Sequence, residues 1–93
     1  MNKYETVFLM NKDITEERRN EIVTKIKDTI SNDGKVIEEK ELGIKKLAYE
    51  VKKQKEAYYY SIIFESKAES INEIERIQRI IEEILKFITV KVS

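Results

Sequence analysis

The residues of this chain that are clustered closely enough to form a binding site are lysines. Between positions 45 and 55 the sequence contains five lysines and only one acid, Glu50, a local surplus of four positive charges. The 18 basic and 18 acidic residues of the whole chain cancel, so the molecule is not uniformly basic. A lysine ammonium group contacts phosphates as a point charge, although runs of charge are more often solvated surface. The segment therefore indicates either a phosphate-binding patch or the solvated end of a hairpin.

Groups able to carry out catalysis are scarce. The chain contains no histidine and no cysteine, which removes the commonest general base, the thiolate metal ligands and every nucleophile pair built on those residues. Neighbouring carboxylates such as Glu16 and Glu17 would point about 100° apart on a helix and could not converge on one substrate. Gly34 and Gly43 are too far apart for a phosphate-binding loop. We expect no enzyme activity, no catalytic residue, no metal, no cofactor and no small-molecule substrate.

Length and composition set the scale of the fold. The chain has 93 residues, enough for one domain, which we assign to residues 1–93, and 41% of them are hydrophobic, enough for one core. No apolar run approaches the ~18 residues that cross a bilayer, and no signal-peptide pattern opens the chain. We therefore expect a cytoplasmic protein without a membrane partner.

The first helix is predicted over residues 14–32. Asp13 followed by Glu16 forms a D-x-x-E pattern that would cap its first turn. Gly34 is placed to end the helix with a left-handed residue. Apolar residues at helical spacing give one buried stripe, composed of Ile22, Val23, Ile26 and Ile30.

Three segments are typical of strands before the second helix: residues 3–10, 35–51 and 57–65. The alternation of the middle segment changes parity beside Gly43, which predicts a bulge or bend. A polar turn over residues 52–56 would join it to the third segment. That third segment, AYYYSIIFE, has the clearest alternation in the chain and predicts a central strand with Ile62 in the core.

Ser70 followed by Glu73 predicts a second capped helix, with an isoleucine stripe that ends near Lys86. The alternating tail over residues 87–92 predicts a last strand. The resulting order is β-α-β-β-α-β. This order indicates an α+β protein with a ferredoxin-like fold, in which right-handed crossovers put both helices on one face of a four-stranded antiparallel sheet.

The sheet face turned away from the helices should be unusually apolar. We expect it to carry Tyr4 or Phe8, together with Tyr59, Ile63 and Phe87. Large apolar patches on isolated monomers are uncommon. The open face is therefore interpreted as a surface for binding or self-association.

Basic and apolar residues come close together on the bent second strand. Lys45 and Lys46 stand beside Gly43, where they could meet phosphates, and Leu47 and Tyr49 offer adjacent apolar surface. We also expect four cations to gather where the chain ends meet the end of the second helix: Lys3, Arg79, Lys86 and Lys91. Contacts of this kind would position a nucleic acid without reading its sequence.

Residues 41–49, ELGIKKLAY, followed by EAYYY at 56–60, closely resemble the signature of bacterial small-subunit ribosomal protein six, in which E-L-G, two basic residues and L-A-Y precede E-G-Y-Y. The opening KYETVFLM and the segment 79–91 are similar to that family's first strand and to its last helix and strand. The resemblance therefore covers nearly the whole chain. Ala57 replaces the usual glycine and Glu50 a common proline, departures that affect the stiffness of turns.

The resemblance implies a structural, ribosome-associated protein of the cytoplasm. It would pair with ribosomal protein eighteen, and the heterodimer would bind the central domain of small-subunit ribosomal RNA. The expected RNA-binding residues are Lys3, Lys45, Lys46, Arg79, Lys86 and Lys91. The expected partner-binding residues are Leu47, Tyr49 and Tyr59.

Other functions are compatible with the same order of elements. An RNA-recognition motif would stack single-stranded bases on Tyr58, Tyr60 and Phe64, but the glycine that precedes such aromatics is absent from Lys55-Glu56-Ala57. An acylphosphatase-like enzyme would need an anion-binding loop after the first strand, and residues 11–13 do not form one. A regulatory domain that buries its open face in a homodimer is a further alternative.

Overall fold

The computed structural model describes residues 1–92 of the chain. The elements are β1 (Asn2–Met10), α1 (Glu16–Ser31), β2 (Lys35–Val51), β3 (Gln54–Ser66), α2 (Ile71–Ile80) and β4 (Ile84–Lys91), with one 3-10 turn (Ala68–Ser70) before α2. The strands form one antiparallel sheet in the order β2-β3-β1-β4. The predicted order of elements and the ferredoxin-like fold are confirmed. No helix within residues 1–92 has the length and apolar character needed to cross a membrane.

The main core lies between the sheet and the two helices. Alternate residues of β1 and β3 point towards the stripe of α1, and Phe8 and Tyr60 pack with ring centroids 5.5 Å apart. Ile26 in α1 and Ile62 in β3 are both 0% exposed, as predicted. This layer covers one face of the sheet and leaves the other face without helices.

The prediction of which aromatic residues face away from the helices is partly wrong. Tyr4 and Phe8 are buried in the core under the helices, and Phe87 packs against the same core. Phe8 pairs with Tyr60 of β3 and with Phe87 of β4. Residues that pair directly point to the same face of the sheet, so the face of Phe8 fixes the face of all three. In the sequence, β1 carries consecutive apolar residues and its alternation is therefore ambiguous.

The ends of α1 are built differently from the prediction. Thr15 is the N-cap, because its side-chain oxygen accepts a hydrogen bond from the Arg18 backbone N–H at 3.1 Å. Asp13 instead donates its own N–H to the Asn11 side chain at 2.9 Å. Gly34 has no positive φ. It is needed for space, since a Cβ at this position would lie 2.1 Å from the Glu65 carbonyl oxygen of β3.

Helix α2 is shorter than predicted, and β4 begins three residues earlier. The helix stops at Ile80, and Ile81 already has an extended backbone. Ile84 and Leu85 are both buried but belong to different apolar clusters, which is the alternation of a strand. The isoleucine spacing suits either structure, so the boundary could not be placed from it. Ser70 also makes no capping bond; its hydroxyl contacts the Asp33 carboxylate at 3.2 Å.

The β2–β3 hairpin is long and irregular. The expected irregularity beside Gly43 is confirmed, because the register shifts there and Gly43 has a φ of +81°. The connection between Val51 and Gln54 is shorter than predicted and consists of Lys52 and Lys53, both with positive φ. This geometry is that of a type I′ turn, whose twist matches that of the flanking strands.

Truncation of a core isoleucine tests the strand parity. We expect Ile62→Ala to lower the free energy of unfolding by about 2–5 kcal/mol, because it removes buried methyl groups and leaves a cavity. Ile88→Ala is the control, since Ile88 also lies in a strand but is 58% exposed; it should cost less than about 1 kcal/mol. Urea unfolding measures both. Equal losses at the two sites would contradict the assigned faces.

Candidate nucleic-acid and protein interface

A second apolar cluster lies on the sheet face away from the helices. Leu9, Ala57 and Leu85 are buried there, and Leu47 and Tyr59 pack against them. The ladder between β2 and β3 is interrupted from Lys46 to Val51, so residues 47–50 leave the sheet edge. They reach across the open face towards β4. One end of that face is therefore covered by the hairpin of the chain itself.

Tyr49 is the most accessible of the three expected partner-binding residues. Its side chain is 65% exposed, whereas Leu47 and Tyr59 are half-buried. Lys86 Nζ on β4 donates a hydrogen bond to the Tyr49 hydroxyl at 3.1 Å and lies 5.5 Å from the ring centroid. A tyrosine held in this way presents a large, oriented surface at a low cost in conformational entropy.

A groove of about 550 Å³ runs along the hairpin beside Tyr49. Its walls combine apolar, basic and acidic side chains: Lys46, Leu47, Ala48, Tyr49, Glu50, Lys55 and Glu56. A smaller cavity of about 150 Å³ separates Tyr49 from Leu9 and Tyr59. The mixture suits a side chain or backbone of another protein better than a long polyanion.

The six expected RNA-binding cations are all exposed, but they form two groups. Leu9 of β1 pairs with Lys86 of β4, whereas Tyr4 pairs with Lys91. Five residues of extended strand separate the two places by about 17 Å. The expected gathering of Lys3, Arg79, Lys86 and Lys91 is therefore wrong. Lys3 and Lys91 lie at one end of the sheet, and the cations at the opposite end are Lys45, Lys46, Arg79 and Lys86.

Three of these cations lie near aromatic rings. The Lys45 ammonium lies 5.7 Å from the Tyr59 ring centroid, and the Arg79 guanidinium 6.0 Å from that of Phe87. Lys86 Nζ lies 5.5 Å from the Tyr49 ring centroid, on the side of the hydroxyl group. Within residues 1–92 none of the six forms a salt bridge with a carboxylate. Their charges are available to an external anion.

The titratable groups with shifted pKa values lie on the helix side of the sheet. Burial, followed by the hydrogen bond to Glu39, raises the pKa of Tyr60. The Tyr60 hydroxyl donates to the Glu39 carboxylate at 2.6 Å, and this bond, with Lys27, lowers the pKa of Glu39. The Arg18 guanidinium similarly lowers the pKa of Glu83. These pairs join α1 to β2 and to the turn before β4, so they have a structural explanation.

The aromatic residues needed for base stacking point the wrong way. Tyr60 and Phe64 are buried beneath the helices, and the Tyr58 ring is covered by the Arg19 guanidinium at 4.0 Å. Bases cannot reach the Tyr60 and Phe64 rings in the folded state, and they would have to displace Arg19 to reach Tyr58. The alternative of an RNA-recognition motif that stacks bases on them therefore loses its structural basis.

Lys52 is a residue of the basic surface to which the sequence pattern assigned no role. Its Nζ lies 3.4 Å from the Ile84 carbonyl oxygen of β4, and its side chain lines a cavity with Arg79 and Lys86. The signal was present in the charge surplus of residues 45–55. Only the crossing of the hairpin over the sheet brings Lys52 to the end of α2.

The structure is that of a ferredoxin-like protein whose exposed cations lie beside an exposed tyrosine, a surface suited to contacts with other macromolecules. Residues 3–91 match the family model described as ribosomal protein S6. The small ribosomal subunit protein bS6 of a Sulfurovum species is 40% identical, over 98% of this chain and 72% of its own length. That of Alkaliphilus metalliredigens is 35% identical, over 100% and 99%. The chain belongs to the ribosomal protein S6 family.

The solved structures support the same assignment. The crystal structure of 30S ribosomal protein S6 from Thermotoga maritima matches with a TM-score of 0.92 at 30% sequence identity, over 98% of this chain and 87% of that one. The expected family resemblance is confirmed. The protein is a structural component of the bacterial small ribosomal subunit and not an enzyme. Its expected place on the ribosome of the cytoplasm follows from this membership.

The exposure of Tyr49 can be tested by stability alone. We expect Tyr49→Ala to change the free energy of unfolding by less than about 1 kcal/mol, because an exposed side chain loses little packing. Tyr60→Ala provides the contrast: Tyr60 is only 7% exposed, and its truncation should cost about 3–5 kcal/mol. Chemical denaturation of both variants measures the difference. A loss at Tyr49 as large as that at Tyr60 would place Tyr49 in the core.

Proposed function

We propose that this chain forms a heterodimer with ribosomal protein eighteen and that the heterodimer binds the central domain of small-subunit ribosomal RNA. One observation carries the proposal: unpaired cations surround an exposed, oriented tyrosine at the hairpin end of the sheet. The two kinds of side chain suit two kinds of partner. The apolar and aromatic groups suit a protein, and the cations suit RNA phosphates.

The protein partner would bind at the hairpin end, through Leu47, Tyr49 and Tyr59. Buried aromatic anchors supply most of the energy of protein interfaces, particularly where a pocket lies beside them. The 550 Å³ groove next to Tyr49 offers such a pocket. The hydrogen bond from Lys86 favours one orientation of the Tyr49 ring before binding, which would reduce the entropy lost on association.

The RNA would contact the two groups of cations separately. Because about 17 Å of strand lies between them, Lys3 and Lys91 cannot share a phosphate with Lys86. Each group would contact its own stretch of backbone. Contacts of this kind fix the position of the protein on RNA and leave sequence recognition to RNA shape or to the partner.

We expect the isolated chain to bind RNA weakly, with a dissociation constant in the nonspecific range of about 10⁻⁴ to 10⁻⁶ M. The reason is that the formal net charge is zero and the cations are divided between two ends of the sheet. Filter binding at several salt concentrations measures both affinity and salt dependence. Tight binding by the isolated chain, with a slope that indicates about six or more phosphate contacts, would contradict the need for a partner.

Variants of the two groups should fail in different steps of assembly. Tyr49→Ala should weaken heterodimer formation. Lys45→Ala combined with Lys46→Ala should weaken the binding of the heterodimer to RNA much more than heterodimer formation. It should also make the salt slope shallower by about 1.4–1.8, since two phosphate contacts are lost. Calorimetry follows the first step, and filter binding follows the second.

Two controls separate these effects from general ones. Lys25→Ala combined with Lys67→Ala removes the same charge from exposed positions outside the six cations and should change RNA binding by less than about twofold. Tyr49→Phe keeps the ring but removes the hydrogen bond to Lys86, so it shows how much of the Tyr49 effect depends on that hydrogen bond. If all variants weakened both steps alike, the division into protein and RNA surfaces would be wrong.

A further inference from the structure

The turn between β2 and β3 carries lysines where lysines are unfavourable. Lys52 and Lys53 have φ values of 48° and 66°. Both central positions of a type I′ turn require positive φ, and asparagine or glycine normally occupies them. A side chain with a Cβ pays in free energy for this conformation. Residues kept in disfavoured conformations are often found at functional sites, so the side chains of this turn are candidates for a specific role.

A cavity of about 250 Å³ lies between this turn, the end of α2 and the start of β4. Lys52, Arg79 and Lys86 contribute to its wall. Lys52 Nζ lies 3.4 Å from the Ile84 carbonyl oxygen, and the Arg79 guanidinium lies 6.0 Å from the Phe87 ring centroid. The volume is below the roughly 300–1,000 Å³ of typical small-molecule sites. It therefore suits a small group better than a whole metabolite.

The cavity is strongly basic. No carboxylate belongs to its wall, and none of the three cations forms a salt bridge within residues 1–92. Like charges brought together around one cavity repel each other, and a bound anion relieves the repulsion. A phosphate group offers acceptor oxygens for two ammonium groups and for the forked N–H groups of a guanidinium.

We propose that this cavity binds one phosphate group of the RNA backbone and that Lys52 completes the site with Arg79 and Lys86. The inference rests on the proposed RNA-binding function and deepens it. It assigns three cations to one phosphate site and adds Lys52 to the expected RNA-binding residues. The Arg79 guanidinium lies 6.0 Å from the Phe87 ring centroid, and the turn brings the Lys52 ammonium within 3.4 Å of the Ile84 carbonyl oxygen at the start of β4. Lys86 also contacts Tyr49, so the phosphate site adjoins the expected protein surface.

Lys52→Asn and Lys53→Asn form a matched pair for the test. Each removes one positive charge from the same turn, and asparagine tolerates positive φ, so both variants should fold. Of these two lysines, only Lys52 belongs to the wall of the cavity. In the isolated chain, titration with inorganic phosphate should shift the backbone amide NMR signals of Lys86 and Phe87. We expect the shifts to persist in Lys53→Asn and to need at least fivefold more phosphate in Lys52→Asn.

The second measurement uses the heterodimer and central-domain RNA. We expect Lys52→Asn to weaken RNA binding about fivefold to tenfold and to make the salt slope shallower by about 0.7–0.9, as for one lost phosphate contact. Lys53→Asn should stay within twofold of the unaltered chain. Unchanged affinity in Lys52→Asn, or equal losses in both variants, would overturn the site while leaving RNA binding itself established. If phosphate bound at the cavity but the heterodimer did not bind RNA, the RNA origin of the phosphate would be overturned.

Discussion

The hydroxyl of Thr6, fully buried in the central strand β1, makes the hydrogen bonds that position the elements carrying Arg79 and Lys86. It accepts hydrogen bonds from the Gln78 side chain of α2 at 2.8 Å and from the Thr89 hydroxyl of β4 at 3.0 Å. A buried polar group is costly to leave unpaired, so a slip of either element would be penalised. The two bonds therefore favour one register of β4 and one position of α2 on the sheet. The position of α2 places Arg79, and the register of β4 places Lys86.

The hairpin brings the second part of the surface to the first. It begins at the edge strand β2, but beyond Lys46 its residues cross the open face and reach β4 on the opposite edge. Leu47 and Val51 pack on the second apolar cluster, which stabilises this path. The paired edge is thereby shortened, which also limits pairing with other chains. A segment rich in lysine thus comes to lie beside the end of α2.

This arrangement explains how a protein without net charge can have a strongly basic surface. Most described ion pairs lie within or next to the helices, as between Arg18 and Glu83, or join α1 to β2, as between Lys27 and Glu39. The cations at the hairpin end contact aromatic rings and carbonyl groups and keep their charge available. Exposed charges of this kind act over about 8–10 Å at physiological salt. For an anion close to the surface, the grouping of cations at one end of the sheet therefore matters more than the zero net charge of the whole chain.

The sequence by itself determined the elements, their order, the core positions Ile26 and Ile62, the bulge at Gly43 and the family, because periodicity and short motifs are local signals. It could not decide features that depend on contacts distant in sequence. The face of β1 was settled by its pairing with β3 and β4, and the need for a glycine at position 34 by the nearby Glu65 carbonyl. The start of β4 and the division of the cations into two groups likewise follow from the antiparallel register of β4. The position of Lys52 follows from the path of the hairpin across the sheet. Only tertiary structure brings such residues together, since side chains separated by tens of residues become neighbours through strand pairing.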